Sequence, residues 1–226
     1  MTVAVKGRAR LVVLISGRGR NLAALIAAVN DGRIAADIVA VISNRADAAG
    51  LALAREAGVP VQVLPHVDYP DRAAFDAALA AALRALDADI IALAGFMRIL
   101  TENFVREFEG RMLNIHPSLL PRHKGLNTHA AVLRDGDAEH GATVHFVTPQ
   151  LDGGPLVIQG RFTVSAQDGA QQLAERVLEQ IECRIYPQAV AWMARGELRC
   201  EQGVPRFRDR PLSAVLSLDD LEPGFR

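Results

Sequence analysis

The strongest constraint on this chain is a regular alternation along its first half. Short apolar runs of strand length recur, each followed by a segment with helical periodicity. Leu11–Ile15, Asp37–Ser43, Val59–Leu64, Asp89–Ala94 and Arg111–His116 read as strands. After the first run, Leu22, Leu25, Ile26 and Val29 fall at i, i+3, i+4 and i+7, the spacing of one helix face. Asp47 is placed to cap a helix that runs through Glu56 and stops at Gly58. Pro70 and Asp71 open an alanine-rich helix to about Leu86, and Thr101 caps a short one containing Glu102 and Phe104. Strands joined by helices run parallel. When both of their faces are buried, they read as continuous apolar runs.

The pattern changes after Pro117. Residues 117–142 read as loop and helix, with His123, Lys124, His129 and His140. Thr143–Val147 alternates as a strand with Thr143 and His145 on one face, and Leu156–Val164 continues as another after a Gly-rich turn. No crossover helix separates them, so they are expected to pair antiparallel. Asp168–Ile185 reads as an amphipathic helix that buries Leu173, Val177, Leu178 and Ile181 and turns Glu175, Glu179 and Glu182 outward. A short helix from Pro187 to Gly196, a hairpin over Glu197–Phe207 and a patternless tail complete the chain. The expected class is α/β: a Rossmann-like, mostly parallel twisted sheet with helices on both faces and antiparallel strands toward the C-terminal part. Residues 1–200 are expected to form a single domain, with 201–226 a peripheral hairpin and tail.

Composition narrows the function classes. The chain has 226 residues, half of them hydrophobic and few aromatic, enough for one substantial core. The formal charge of −1 argues against electrostatic binding of nucleic acid or membrane as the main activity. Cys183 and Cys200 lack metal-ligand or redox spacing and suit reduced thiols in a cytoplasmic protein. The start, Met1–Arg10, is basic, but Leu11–Ile15 is too short for a signal-peptide core, and no run approaches transmembrane length.

Three strand ends carry candidate chemistry. Ser16-Gly-Arg-Gly-Arg-Asn21 joins the first strand to the first helix, where backbone N–H groups and the helix dipole can hold a phosphate and Arg18 and Arg20 can reinforce it. A tight turn that needs glycine for φ > 0 is the alternative. The spacing is not that of a dinucleotide-binding loop. Gly95-Phe-Met-Arg-Ile-Leu100 follows the fourth strand at the sheet edge where α/β proteins bind ligands, and would suit a flat heterocycle or serve as an ordinary loop. In the fifth strand Asn114 and His116 share a face just before Pro117, either as a catalytic pair or as backbone caps. Arg72, in the first turn of a helix, either meets an anion or is solvated. If the Leu151-Asp-Gly-Gly-Pro155 turn reaches the fifth strand, Asp152 joins that pair. A carboxylate beside an imidazole favours its charged form, and imidazole with amide can stabilise an oxyanion or move a proton. No Ser or Cys elbow and no metal-ligand set is evident, which suits direct acyl transfer between two bound substrates.

These segments, together with Asn114-Ile-His-Pro-Ser-Leu-Leu-Pro121 and Gly141-Ala-Thr-Val-His-Phe-Val147, resemble in order the phosphoribosylglycinamide formyltransferases, over about residues 10–200. The resemblance implies the formyltransferase fold and transfer of a formyl group from 10-formyltetrahydrofolate, as co-substrate and without a metal, to the amine of 5′-phosphoribosylglycinamide. It implies that Gly19, Arg20 and Asn21 hold the phosphate and that Glu182 approaches the amine. Met97, Arg98, Ile99 and Leu100 would line the folate pocket, with Arg72 near the folate, and Asn114, His116 and Asp152 would be the catalytic set. It further implies small-molecule partners only, and a monomer or weak homodimer.

The sequence departs from the family pattern at three places. Arg20 stands where serine is usual, Cys183 follows Glu182 where histidine is usual, and Lys124 replaces a common proline. Three rival readings share the cluster. A formyltetrahydrofolate hydrolase would use water as acceptor and is expected to carry an N-terminal regulatory domain. A methionyl-tRNA formyltransferase is expected to carry a larger, basic C-terminal domain. A silent ligand-binding module would need no intact catalytic set.

Overall fold

The computed structural model describes residues 7–226; residues 1–6, part of the basic start Met1–Arg10, lie outside the described residues. The five early runs form β1 (Ala9–Ile15), β2 (Ala36–Ser43), β3 (Val61–Val63), β4 (Ile90–Leu93) and β5 (Met112–His116), which are all parallel. β6 (Glu139–Phe146) and β7 (Leu156–Thr163) add antiparallel, giving one seven-stranded sheet in the order β3-β2-β1-β4-β5-β6-β7. The mostly parallel sheet and its antiparallel extension are as expected.

β1, β4 and β5 are buried on both faces, β2 over its C-terminal half, and the edge strand β3 is half-buried. Leu11, Val13 and Ile15 of β1 face a layer made by α1 (Arg20–Asn30), α2 (Gly50–Glu56) and the C-terminal helices. Val12 and Leu14 face the opposite layer of α3 (Arg72–Ala85) and α4 (Glu102–Glu107), through Phe75, Leu79, Leu83, Phe104 and Phe108. Full burial of such side chains contributes about 1.5–3 kcal/mol each, so the unbroken apolar runs are the sheet's main stabilisation. The order of the strands reverses between β1 and β4. Loops leaving their carboxyl ends diverge there and open a crevice.

Five local expectations are corrected. Asp47 does not cap α2; it pairs with Arg45 at 2.7 Å, and the Gly50 N–H at the helix start donates to Gly17 O at 2.9 Å, so a loop carbonyl takes up that donor. β6 begins at Glu139 rather than Thr143, because Glu139–Ala142 pairs with Gly160–Thr163. The helix from Pro187 is not separate. α6 (Ala170–Arg176), a π-helical turn over Val177–Glu182 and α7 (Cys183–Ala194) run on through Pro187. The widened turn changes the phase of the helix, and Glu182 points inward at 7% exposure while Glu175 and Glu179 stay outside. Residues 201–226, expected at the periphery, are stitched to the core. β8 (Leu198–Glu201), β9 (Val204–Phe207) and β10 (Arg210–Pro211) form a small antiparallel sheet. Leu216 then bridges Ile158 on the β7 edge, Leu221 and Phe225 are buried, and Trp192 Nε1 donates to Glu222 at 3.0 Å. A free strand edge and an apolar helix face both need cover, and the tail supplies it.

Candidate active site

β5 delivers Asn114 and His116 to a cavity of about 640 Å³, closed by the Gly95–Ile99 turn, Gly125–His129, Leu151 and Asp152. A smaller cavity of about 100 Å³ has apolar walls of Leu93, Phe96, Leu100, Val105 and Val147, and it meets the larger one at Asn114 and Asp152. Arg98 and Ile99 border both, whereas Met97 borders only the larger and Leu100 only the smaller.

The hydrogen bonds assign most of the protons. His145 Nδ1 faces the Phe146 carbonyl at 2.9 Å, an acceptor only, so Nδ1 carries the hydrogen and Nε2 a lone pair. Burial above all pushes the His145 pKa down, in keeping with a neutral ring. Asn114 Nδ2 therefore donates one hydrogen to His145 Nε2 at 3.1 Å, which fixes which way the amide faces and leaves its second Nδ2 hydrogen free. His145 lies directly opposite Asn114 in the β5–β6 register. His116 Nε2 donates to the His123 carbonyl at 2.8 Å, while its Nδ1 faces Asp152 Oδ2 at 3.5 Å. Asp152 also accepts from Gly125 N at 2.8 Å, and its φ of 44° is one that an aspartate tolerates. Asn114, His116 and Asp152 thus form one cluster, with His116 and the Asp152 side chain almost wholly buried.

A second cluster forms where α1 meets the π-helical turn. Gly19 takes φ 76°, and a Cβ there would approach Gly50 Cα at 2.7 Å, so the loop is tight for two reasons at once. Arg18 and Arg20 are exposed and, among the described residues, neither guanidinium has a protein partner. Asn21 Nδ2 donates to Glu182 Oε2 at 2.7 Å, leaving its own Oδ1 buried and unpaired. Burial pushes the Glu182 carboxyl up, opposed by the Asn21 hydrogen bond and by Arg20. None of these residues, and not Arg72, lines either cavity; Arg72 is exposed at the start of α3.

His145 borders the small cavity and His129 the large one, and neither carries a role in the sequence reading. The alternation of Thr143 and His145 marked the correct strand face; the register that sets His145 against Asn114 is a tertiary property. His129 borders the large cavity and shares one hydrogen with the buried His140, Nδ1 to Nε2 at 2.8 Å. Burial, helped by neighbouring imidazoles, pushes His140 down from 6.5 to about 4. Between those values the unfolded chain binds the extra proton, so His140 makes stability fall as pH drops from 6.5 toward about 4. Thermal melts of wild type and His140→Gln across that window should show a shallower slope for the variant. Equal slopes would remove His140 as the cause.

A family model described as formyl transferase matches residues 9–190. The chain is also 46% identical over 192 residues to the phosphoribosylglycinamide formyltransferase of Escherichia coli, an overlap of 85% of this chain and 90% of that one. The chain belongs to the phosphoribosylglycinamide formyltransferases. The solved structure of the Coxiella burnetii phosphoribosylglycinamide formyltransferase superposes with a TM-score of 0.88 at 44% identity, covering 93% of this chain and 99% of that one. Glycinamide ribonucleotide transformylase 1 of Symbiobacterium toebii gives 0.86 at 42% identity, covering 92% and 98%. None of the three sequence departures in this formyltransferase replaces Asn114, His116 or Asp152. Arg20 projects outward, and Cys183, its thiol pushed up chiefly by burial, follows Glu182 on the helix. Lys124 sits between the His123 carbonyl and Gly125 N–H that contact the cluster.

Proposed function

We propose that this formyltransferase transfers the formyl group of 10-formyltetrahydrofolate to the amine of 5′-phosphoribosylglycinamide, with Asn114, His116 and Asp152 as the catalytic set. The observation that carries the assignment is the junction of the two cavities at Asn114 and Asp152. The small cavity has an apolar wall of Leu93, Phe96, Leu100, Val105 and Val147 facing polar side chains, which fits a flat heterocycle with polar edges, and the buried, unpaired Nε of Arg98 offers a donor to such an edge. Met97, Ile99 and Leu100 complete that side, with Arg72 outside it toward the acidic end of the folate. Gly19, Arg20 and Asn21 take the phosphate at the start of α1, and Glu182 lies toward the amine.

The reaction forms a bond from the amine nitrogen to the formyl carbon and breaks the bond from that carbon to the folate N10; the amine's lost proton ends on N10. The free Nδ2 hydrogen of Asn114 and the Nε2 hydrogen of His116 meet the oxygen as it gains charge. To do so, that oxygen replaces the His123 carbonyl on His116 Nε2. Asp152 faces Nδ1, where the ring gains or loses its second proton. The partners are small molecules, and the protein works in the cytoplasm as a monomer or weak homodimer, readings supported by its balanced charge and two unpaired thiols. Residues 1–200 act as the catalytic domain, with the C-terminal segment supporting it.

Purified protein with 5′-phosphoribosylglycinamide and a 10-formyl folate, followed by folate absorbance, should show turnover that requires both compounds. Loss of the formyl group at the same rate without the amine would favour the hydrolase reading. Binding of both without turnover would favour a silent module.

A further inference from the structure

We propose that Ser16 and Asp76 are positioning residues that clamp the Gly95–Leu100 turn and thereby set affinity for the folate co-substrate. The inference rests on the reading of that turn as the folate side. After β4 the chain runs from Gly95 to Thr101 without regular structure, and backbone groups in such a stretch need partners. Among the described residues no backbone–backbone hydrogen bond holds Gly95–Leu100. Two side chains from distant elements hold it instead. Met97 N donates to Ser16 Oγ at 2.7 Å, and Thr101 N donates to Asp76 Oδ2 at 2.6 Å. The turn's other backbone groups have no hydrogen-bond partner among the described residues.

Both clamps are themselves fixed. Ser16 is 7% exposed, and its single proton is committed to Asn44 Oδ1 at 2.6 Å, which aims an oxygen lone pair at Met97. Asn44, at the end of β2, is buried as well. Asp76 is 2% exposed, with its second oxygen buried and unpaired, a costly arrangement for a carboxylate that only decorates a helix. The residue beside it tightens the grip. Phe75 stacks on Phe96 with centroids 6.5 Å apart, and the Arg98 guanidinium lies 5.1 Å from the Phe75 ring. The turn is therefore held at its middle and its end in a fixed shape, and a heterocycle meets it without a further ordering cost.

The test is steady-state kinetics and equilibrium binding of 10-formyltetrahydrofolate with Ser16→Ala, Ser16→Thr, Asp76→Ala and Asp76→Asn. Each alanine variant should raise KM and Kd for the folate about 10-fold, while KM for 5′-phosphoribosylglycinamide moves by less than about 2-fold. Ser16→Thr and Asp76→Asn keep an acceptor oxygen and should return the folate KM to within about 2-fold of wild type. Equal increases in both KM values, or a lowered Tm with unchanged folate Kd, would assign these residues a purely structural role and overturn the clamp. If Asp76→Ala does not fold, Ser16→Ala, which removes one oxygen, decides the matter. Wild type that neither binds nor turns over the formyl folate overturns the functional reading itself. Wild type that does, beside variants that bind folate equally well, overturns only the clamp.

Discussion

Replacing His116 with alanine is expected to lower kcat by about 10²–10⁴-fold while the protein stays folded. The imidazole is 5% exposed, and its Nε2 hydrogen is the one for which the His123 carbonyl and an incoming oxygen compete. Asp152→Ala should cost a comparable amount. It strips the carboxylate 3.5 Å from His116 Nδ1 and the acceptor for Gly125 N–H, so the loop over the cluster loosens too. Because the two side chains act as a unit, the double variant should be about as slow as the slower single one rather than slower by the product of both effects. Rates at saturating levels of both substrates, with a thermal melt of each variant, are the required measurements. Near-wild-type kcat in either single variant would dismantle the assigned roles.

Gly154→Ala is expected to damage both stability and rate, whereas Gly153→Ala should do little. A Cβ on Gly154 would overlap the backbone carbonyl oxygen of Phe146, at the end of β6, and a strand end cannot move aside. A Cβ on Gly153 would meet only the exposed, flexible side chain of Gln150. The turn is also closed onto β6 by Phe146 N donating to Pro155 O at 3.0 Å. Gly154→Ala should therefore lose about 3 kcal/mol, lowering Tm by roughly 6–12 °C in a chain of this size. The forced shift carries Asp152 away from His116, and a displacement near 1 Å can cost about 10²-fold in rate. Differential scanning calorimetry and kcat on the two alanine variants side by side check this. Matching behaviour of the pair would refute it.

Much of the site was legible because its parts sit at strand ends. Asn114 and His116 share a face through the two-residue repeat of an extended chain, and the irregular stretches after β1 and β4 are the places where a parallel sheet presents ligands. The failures have a common source. Neighbours in the chain make Asp47 resemble a cap, but the donor it would satisfy goes to Gly17 O. A uniform helical repeat places Glu182 toward solvent, and the π-helical turn over Val177–Glu182 breaks that repeat. Once turned inward, its carboxylate reaches Asn21, 161 residues away. The tail seemed patternless because its burial depends on a β7 edge and an α7 face that exist only after folding.

The sequence by itself determined the elements and the chemistry: strands apolar on both faces, helices between them, and an amide and an imidazole side by side before Pro117. Those properties follow from local periodicity, with repeats of two or about four residues that neighbours along the chain decide. Only the tertiary structure decided that Asp152 faces His116, that His145 fixes the Asn114 amide, and that Ser16 and Asp76 hold the turn after β4. These depend on strand order and register, which are selected by the packing of whole faces and leave no periodic trace in the chain.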